Sequence, residues 1–285
     1  MLERLADGGV VVIDGGMGTE LEARGARMDH EAWCGLVNLE VPGLVREIHE
    51  DYIRAGADVI IANTFPANRA AVDAALEARE RAAGGREIAV AGSMSIWGPW
   101  EDAAGADLPS EAVLLEVYRE QAGILAAAGV DLIVLEMLDV RWAPALTAAA
   151  ETGLPVWAGI WAHEDGGRLI TPRLGTALDD DLPALIGEHR EDIAAVLVMH
   201  SAVATVPRAL DLIGAHWRGP RGAYPHHGRF ERPNWVFEDI APATLADAAE
   251  SWLDQGARLV GGCCGTGPAH IAAIRERVDG RAATA

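Results

Sequence analysis

The chain has 285 residues, half of them hydrophobic, with a formal net charge of −20 at pH 7 and no lysine. The acidic surface argues against a nucleic-acid partner, and the missing lysine excludes Schiff-base chemistry and lysine-dependent phosphate loops. Three cysteines are too few for a disulfide scaffold, and the sequence shows neither a secretory pattern nor an apolar run that could span a bilayer, so we expect a cytoplasmic protein without a membrane partner.

Short apolar runs alternate with helical stretches along the chain. The first run, 10–13, ends in a glycine-rich loop that begins with Asp14. Apolar periodicity then predicts a helix over 44–55, which Gly56 would terminate, and a strand over 57–62. Further strands are predicted at 87–91, 130–135, 155–160, 193–198, 222–224 and 257–260. Further helices are predicted at 67–83, 111–128, 143–152, 181–189, 206–216, 244–255 and 268–278.

Eight strand–helix units predict a single (β/α)8 TIM barrel, with residues 1–285 forming one domain. A doubly wound open sheet is the alternative, although the first loop lacks the G-x-G-x-x-G spacing of its dinucleotide-binding form. In a barrel the C-terminal strand ends share one face, where active sites lie. Nearly every predicted strand ends in a polar or metal-competent group: Asp14, Asn63, Thr64, Ser93, Ser95, Glu136, Trp161, His163, His200, Ser201, Tyr224, His226, Cys263 and Cys264.

The last predicted strand opens into two adjacent cysteines, Cys263 and Cys264, among glycines. Accessible thiolates are good zinc ligands, whereas the alternative is a buried pair that packs as small hydrophobic side chains. A disulfide between neighbouring residues is disfavoured by its geometry. Pro268 is predicted to begin the following helix, because the first helical position tolerates a missing N–H.

Over nearly its whole length the chain resembles the homocysteine S-methyltransferase family. The most specific matches are DGGMGTEL at 14–21, AGAD at 55–58 with NTF at 63–65, and GGCCGT at 261–266. The resemblance implies a barrel enzyme that transfers a methyl group to homocysteine and gives methionine. It also implies zinc as the cofactor, a homocysteine-like thiol as the acceptor, and a small onium donor of the S-methylmethionine or betaine type.

By this resemblance Cys263 and Cys264 are metal ligands and catalytic residues. The family's third cysteine follows an asparagine at the end of the sixth strand, where this chain has His200 and Ser201. One alignment puts Ser201 in the ligand position and another puts His200 there, and histidine is the better zinc ligand. Weak binding through two cysteines, or no zinc, are the other readings of the missing thiolate.

Two carboxylates, Asp14 and Glu136, are predicted to bind the ammonium group of the substrate, and Glu136 is also counted as catalytic. Gly15 and Gly16 are predicted to donate backbone N–H groups to the substrate carboxylate. The resemblance places four more residues around the substrate: Asn63, Thr64, Phe65 and Tyr224. Three tryptophans are candidates for cation–π contact with the onium centre: Trp97, Trp100 and Trp161. Arg229 and Arg232 are assigned to a solvated loop, and Cys34 to packing.

Two alternative functions stay open at this point. A diverged relative with an altered or absent zinc site would act on another thiol or onium compound. A non-catalytic amino-acid-binding barrel would bind the ligand without turnover. Metal content and acceptor choice distinguish these alternatives. The sequence specifies neither the methyl donor nor the oligomeric state.

Overall fold

Eight parallel strands form the centre of the computed structural model, which describes residues 2–64, 69–95, 109–137, 142–172, 175–238 and 240–283. The barrel strands are β1 Val11–Val12, β2 Val59–Ala62, β3 Ala89–Met94, β4 Leu132–Leu135, β5 Val156–Trp161, β6 Ile193–Ala202, β7 Arg221–His226 and β8 Leu259–Val260. Each of these strands overlaps one of the eight predicted strands.

The sheet closes on itself. Its strand order is β1, β8, β7, β6, β5, β4, β3 and β2, so each strand lies beside its neighbours in the sequence. Ile13 bridges Val59 in parallel, and the Asp14 N–H donates to the Val59 carbonyl at 3.0 Å, which joins β1 to β2. The predicted (β/α)8 barrel is therefore confirmed, and the doubly wound alternative is wrong, because an open sheet would leave its edge strands unpaired.

Helices surround the sheet. They are α1 Leu2–Ala6, α2 Met17–Ala23, α3 Val37–Glu40, α4 Pro42–Arg54, α5 Arg69–Ala82, α6 Glu111–Ala128, α7 Trp142–Ala150, α8 Leu178–Glu188, α9 Val206–His216, α10 Pro242–Asp254 and α11 Pro268–Ala282. Pro268 begins α11, as predicted, and Gly56 follows α4 with a φ of 105°. None of the described helices is long and apolar enough to cross a membrane.

Alternate residues of each strand face two apolar layers. In β4, Leu132 and Val134 pack inside the barrel, whereas Ile133 and Leu135 pack against the outer helices. This two-residue period is what a strand with both faces buried requires. Leu5 of α1 joins the inner layer. The interior of the barrel is therefore a packed core, and the C-terminal mouth is where a barrel of this type binds its ligand.

Two antiparallel hairpins that the sequence did not predict extend from the barrel. The first pairs His163–Asp165 with Arg168–Ile170. The second, which we call the roof hairpin, pairs Arg229–Glu231 with Asn234–Val236. It replaces the predicted solvated loop after β7. Its strands have three residues each, which is too short for a reliable periodic signal.

Candidate functional site

A cavity of about 490 Å³ opens at the C-terminal ends of the barrel strands. Each of the eight strands, or the loop directly after it, contributes to its lining, which includes Gly15, Gly16, Asn63, Ser93, Ser95, Glu136, Trp161, His200, Tyr224, His226, Cys263 and Cys264. His163 is instead exposed on the first hairpin. The structure thus brings most of the predicted strand-end residues to one place.

The two adjacent thiols are held against the glycine-rich loop that follows β1. The Gly16 N–H donates to the Thr266 carbonyl at 3.0 Å, and a Cβ at Gly16 would lie 2.7 Å from the Cys263 carbonyl oxygen. The Gly262 N–H donates to the Asp14 carbonyl at 3.0 Å. Glycine is needed at position 16 because the two loops approach closely. The thiols therefore have a fixed position at the cavity wall.

His200 reaches the thiols from the end of β6. A one-residue bulge lies between Met199 and Ala202, and His200 takes a φ of 41° within it. Bulges re-aim side chains in this way, and a positive φ is uncommon for a residue other than glycine. His200 Nδ1 lies 3.7 Å from Cys263 Sγ, and the two cysteine sulfurs are 3.9 Å apart.

These three groups lie close enough together to hold one metal ion, and the two separations given above match a tetrahedral site. The ligand atoms of His200, Cys263 and Cys264 lie within 4.8 Å of one another. A tetrahedral zinc would separate two sulfur ligands by about 3.8 Å, and a sulfur from a nitrogen by about 3.6 Å. Burial, together with a smaller effect of nearby His226, lowers the pKa of His200 to about 3. The imidazole is therefore neutral, which is the form that binds metals.

Ser201, the alternative third ligand, is held by backbone groups. Its hydroxyl donates to the Met199 carbonyl at 2.8 Å and accepts from the Ala162 N–H at 2.9 Å. The side chain is fully buried. The structure therefore brings His200, and not Ser201, into the group with the two cysteines.

Asp14 follows β1 and directly precedes the cavity-lining Gly15, but it is not itself among the described lining residues. It is 1% exposed, and its Oδ2 accepts from the Ile61 N–H at 2.8 Å. Its Oδ1 has no hydrogen-bond partner among the described residues. Burial raises the pKa of Asp14 well above its usual value, and the charge of Glu136 raises it further. A cation that reached Oδ1 would stabilise the ionised carboxylate.

Glu136 and Tyr224 complete the polar part of the cavity. Glu136 is half-buried and accepts a hydrogen bond from the Ser93 hydroxyl. Burial raises the pKa of Glu136. Burial also raises the pKa of Tyr224, and the charges of Glu136 and Cys263 raise it further. The phenol therefore stays protonated, and its oxygen makes no hydrogen bond of normal geometry to a described residue.

Gly15 and Asn63 both line the cavity, but they differ in whether their hydrogen-bonding groups already have protein partners. The Gly15 N–H donates to no described residue, whereas the Gly16 N–H is already bonded to Thr266. Asn63 donates from Nδ2 to Asn38 Oδ1 at 3.0 Å. Its Oδ1 accepts from the thiol of Cys34 at 3.2 Å. The structure thus leaves Gly15 a donor for a ligand, while the Asn63 amide already has protein partners.

Thr64 and Cys34 lie in the packed wall. The Thr64 hydroxyl donates to the Ser93 carbonyl at 2.9 Å and accepts from the Ser93 N–H at 2.8 Å, and Thr64 is not among the described residues that line the cavity. Cys34 is fully buried, and burial raises its thiol pKa to about 12. It is therefore an inert packing residue. Three predicted site residues, Phe65, Trp97 and Trp100, fall outside the described residues.

The aromatic residues of the roof hairpin were not predicted from the sequence. Phe230 and Trp235 line the cavity, and Phe230 packs edge-to-face on Trp33 with ring centroids 5.7 Å apart. The alternation of Arg-Phe-Glu and Asn-Trp-Val around a proline was the available signal. Trp161, which the sequence did suggest, lies 5.3 Å from the ring of His200.

Comparison with known proteins relates the chain to one family. A family model described as homocysteine S-methyltransferase matches residues 11–278. Homocysteine S-methyltransferase 4 of Zea mays is 30% identical over 95% of this chain and 90% of the relative. Selenocysteine Se-methyltransferase of Brassica oleracea var. italica is 27% identical over 96% of this chain and 90% of the relative. The metallated form of the homocysteine methyltransferase MmuM from Escherichia coli superposes with a TM-score of 0.77 at 28% identity, covering 97% of this chain and 99% of that chain.

Proposed function

Because the chain belongs to the homocysteine S-methyltransferase family, we propose that this methyltransferase moves a methyl group from a small onium donor to the thiol of homocysteine, at a zinc site formed by His200, Cys263 and Cys264. The onium donor is of the S-methylmethionine or betaine type, and the product is methionine. The observation that carries the proposal is the convergence of one imidazole and two thiols within 4.8 Å at the cavity wall.

The three side chains suit zinc in number and chemistry. Two thiolates and a neutral imidazole are common zinc ligands, and three protein ligands leave a fourth position for the sulfur of the substrate. Zinc bound there would lower the pKa of the acceptor thiol and keep its sulfur nucleophilic. The protein contributes the fixed positions of the thiols and the neutral state of His200.

The rest of the cavity provides partners for an α-amino acid. Asp14 Oδ1 and Glu136 would bind the ammonium group, because Glu136 lines the cavity, Asp14 lies close enough to Glu136 for their charges to interact, and Asp14 Oδ1 has no described partner. The Gly15 N–H would donate to the substrate carboxylate. The protonated Tyr224 hydroxyl, beside Glu136, offers a second donor. These contacts fix the acceptor before its sulfur attacks the methyl carbon of the donor.

The test compares zinc content and methyl transfer in the reduced protein with those of two variants. We expect about one zinc per wild-type chain and loss of most of it in His200→Ala. Ser201→Ala is the matched control, because it removes the neighbouring polar side chain, whose hydroxyl bonds to Met199 and Ala162. Turnover is measured with S-methylmethionine or betaine, and with homocysteine or selenocysteine as the acceptor.

Each part of the proposal has its own contradicting result. If Ser201→Ala loses zinc and His200→Ala keeps it, Ser201 is the ligand. If the wild-type protein turns over without any metal, the zinc site is wrong. If it binds homocysteine but transfers no methyl group from either donor, the barrel is a binding protein and not an enzyme.

A further inference from the structure

The roof hairpin presents two aromatic rings to the cavity. Phe230 and Trp235 are direct partners in its antiparallel register, so their side chains project from the same face. Both residues line the cavity, and Trp235 is 4% exposed. Arg229, one position before Phe230, also lines the cavity and forms an ion pair with Glu231 at 2.9 Å.

Trp235 is held at both its backbone and its ring. Its backbone N–H donates to Glu22 Oε2 at 2.9 Å, and its indole N–H donates to the His227 carbonyl at 3.0 Å. The other oxygen of Glu22 accepts from Asn234 Nδ2 at 2.7 Å. Glu22 lies on α2, directly after the glycine-rich loop. A single carboxylate therefore fastens the hairpin to the wall of the cavity.

The ring of Trp235 lies next to the proposed metal ligands. Its centroid is 6.0 Å from that of His200 and 5.7 Å from that of His226. Trp161 also packs edge-to-face with His200, with ring centroids 5.3 Å apart. A donor whose methyl group reaches the thiol site would therefore place its onium centre near these rings.

The charges around the cavity favour a cation. Among the described lining residues Arg229 is the one arginine, and it is paired with Glu231 at 2.9 Å and with Glu238 at 3.6 Å. Glu136 lines the cavity, and Asp14 directly precedes the lining residue Gly15, so the nearby acids are carboxylates that favour a cation. Aromatic faces attract cations, most strongly when the contact is shielded from water.

We propose that the roof hairpin selects the methyl donor: Trp235, with Phe230 opposite it, binds the positive onium centre, and Glu22 is the positioning residue that holds these rings over the thiols. This inference rests on the proposed function and names the residues that recognise its donor. In the transfer, the acceptor thiolate forms a bond to the methyl carbon, and the electron pair of the breaking bond returns to the onium sulfur or nitrogen. The donor leaves as a neutral thioether or tertiary amine, so the attraction of the rings is lost once the methyl group has moved.

The test measures binding of charged ligands and their uncharged isosteres by calorimetry, with zinc-loaded protein. One pair is S-methylmethionine and 2-amino-5-methylhexanoate, and the other is betaine and 3,3-dimethylbutanoate. Wild type should prefer the cation of the pair that matches its donor. Trp235→Leu should reduce that preference about 5- to 30-fold, and Trp235→Phe should restore part of it. If Trp235→Leu loses the same affinity for the cation and its isostere, or loses affinity for neither, the assignment of Trp235 to the onium centre is overturned.

The Glu22 part is tested by Glu22→Gln, with Glu47→Gln, an exposed position on α4, as the control. Glu22→Gln should raise the KM for the donor, leave the KM for homocysteine unchanged, and speed hydrogen exchange in the hairpin. Unchanged exchange and donor KM would refute the positioning role. If the protein prefers the cation over its isostere but transfers no methyl group, the proposed function is wrong and this inference is not. If turnover is normal but Trp235→Leu does not change the preference for the cation, this inference is wrong and the proposed function is not.

Discussion

Replacing Asp14 by asparagine should stabilise the fold and weaken acceptor binding at the same time. Asp14 buries a carboxylate whose Oδ1 has no partner among the described residues. An unsatisfied buried group of this kind costs about 1–3 kcal/mol, and more when it is charged. Asparagine has the same shape, and its oxygen can still accept from the Ile61 N–H. We expect a gain of about 1 kcal/mol in the free energy of unfolding, which corresponds to about 2–4 °C in Tm.

The stability gained by Asp14→Asn should increase as the pH rises. Burial raises the pKa of Asp14, so above the ordinary aspartate pKa of about 4 the folded protein binds more protons than the unfolded chain. The stability that this group contributes is full below that pH and is lost as the pH rises through the raised pKa. The advantage of Asp14→Asn over wild type should therefore grow from pH 4 upward and then level off. Thermal melts across this range measure it.

Acceptor binding should change in the opposite sense. Loss of a charge-assisted hydrogen bond to the ammonium group is worth about 1.5–3 kcal/mol, or about 10- to 150-fold in the Kd for homocysteine. Asp58 gives the matched control at the other end of the barrel, because its Oδ2 accepts from the Val12 N–H at 2.9 Å and pairs with Arg275 at 3.5 Å. Asp58→Asn should lower stability and leave binding intact. A lower Tm for Asp14→Asn at pH 8, or unchanged homocysteine binding, would refute the reasoning.

Two further substitutions test which residues are structural and which affect the proposed metal site. Thr64→Val removes the two hydrogen bonds to Ser93. It should lower the free energy of unfolding, measured by denaturant titration, by about 1–2 kcal/mol and leave the KM for homocysteine unchanged. A higher KM would support the predicted role of Thr64 in substrate binding. Gly16→Ala would place a Cβ 2.7 Å from the Cys263 carbonyl oxygen, so it should weaken zinc binding in a competition with a chelator. Gly43→Ala is the control, because a Cβ at Gly43 would have open space around it and zinc binding should not change. Equal zinc affinity in the two variants would contradict the proposed effect of the Gly16 contact.

The barrel was predictable because its signals are local. Each buried strand is a short apolar run, and helix ends are set by residues such as Gly56 and Pro268. The strand-end rule also placed Asp14 and Glu136 near the cysteine pair, since all parallel strands of a barrel end on one face. These inferences needed no knowledge of which side chains touch.

Non-local pairing decided what the sequence left open. The choice between His200 and Ser201 depends on a bulge whose register is set by β7, 20 or more residues away. The roof hairpin has strands of three residues, and Glu22, which anchors it, lies more than 200 residues earlier in the chain. Asn63 and Thr64 are polar strand-end residues like Asp14, and only their partners show that their side chains bond within the wall.

Closure of the ring through the contact between β1 and β8 has a consequence for biosynthesis. The hydrogen bonds from Gly262 to Asp14 and from Gly16 to Thr266 join a segment that precedes β2 to one that follows β8. During synthesis Asp14 is therefore made long before Cys263 and Cys264, and the walls of the cavity meet only after β8 has left the ribosome. On the proposed function, metal loading would follow that step, and the newly made thiols would meet the cellular redox environment before they meet their pocket.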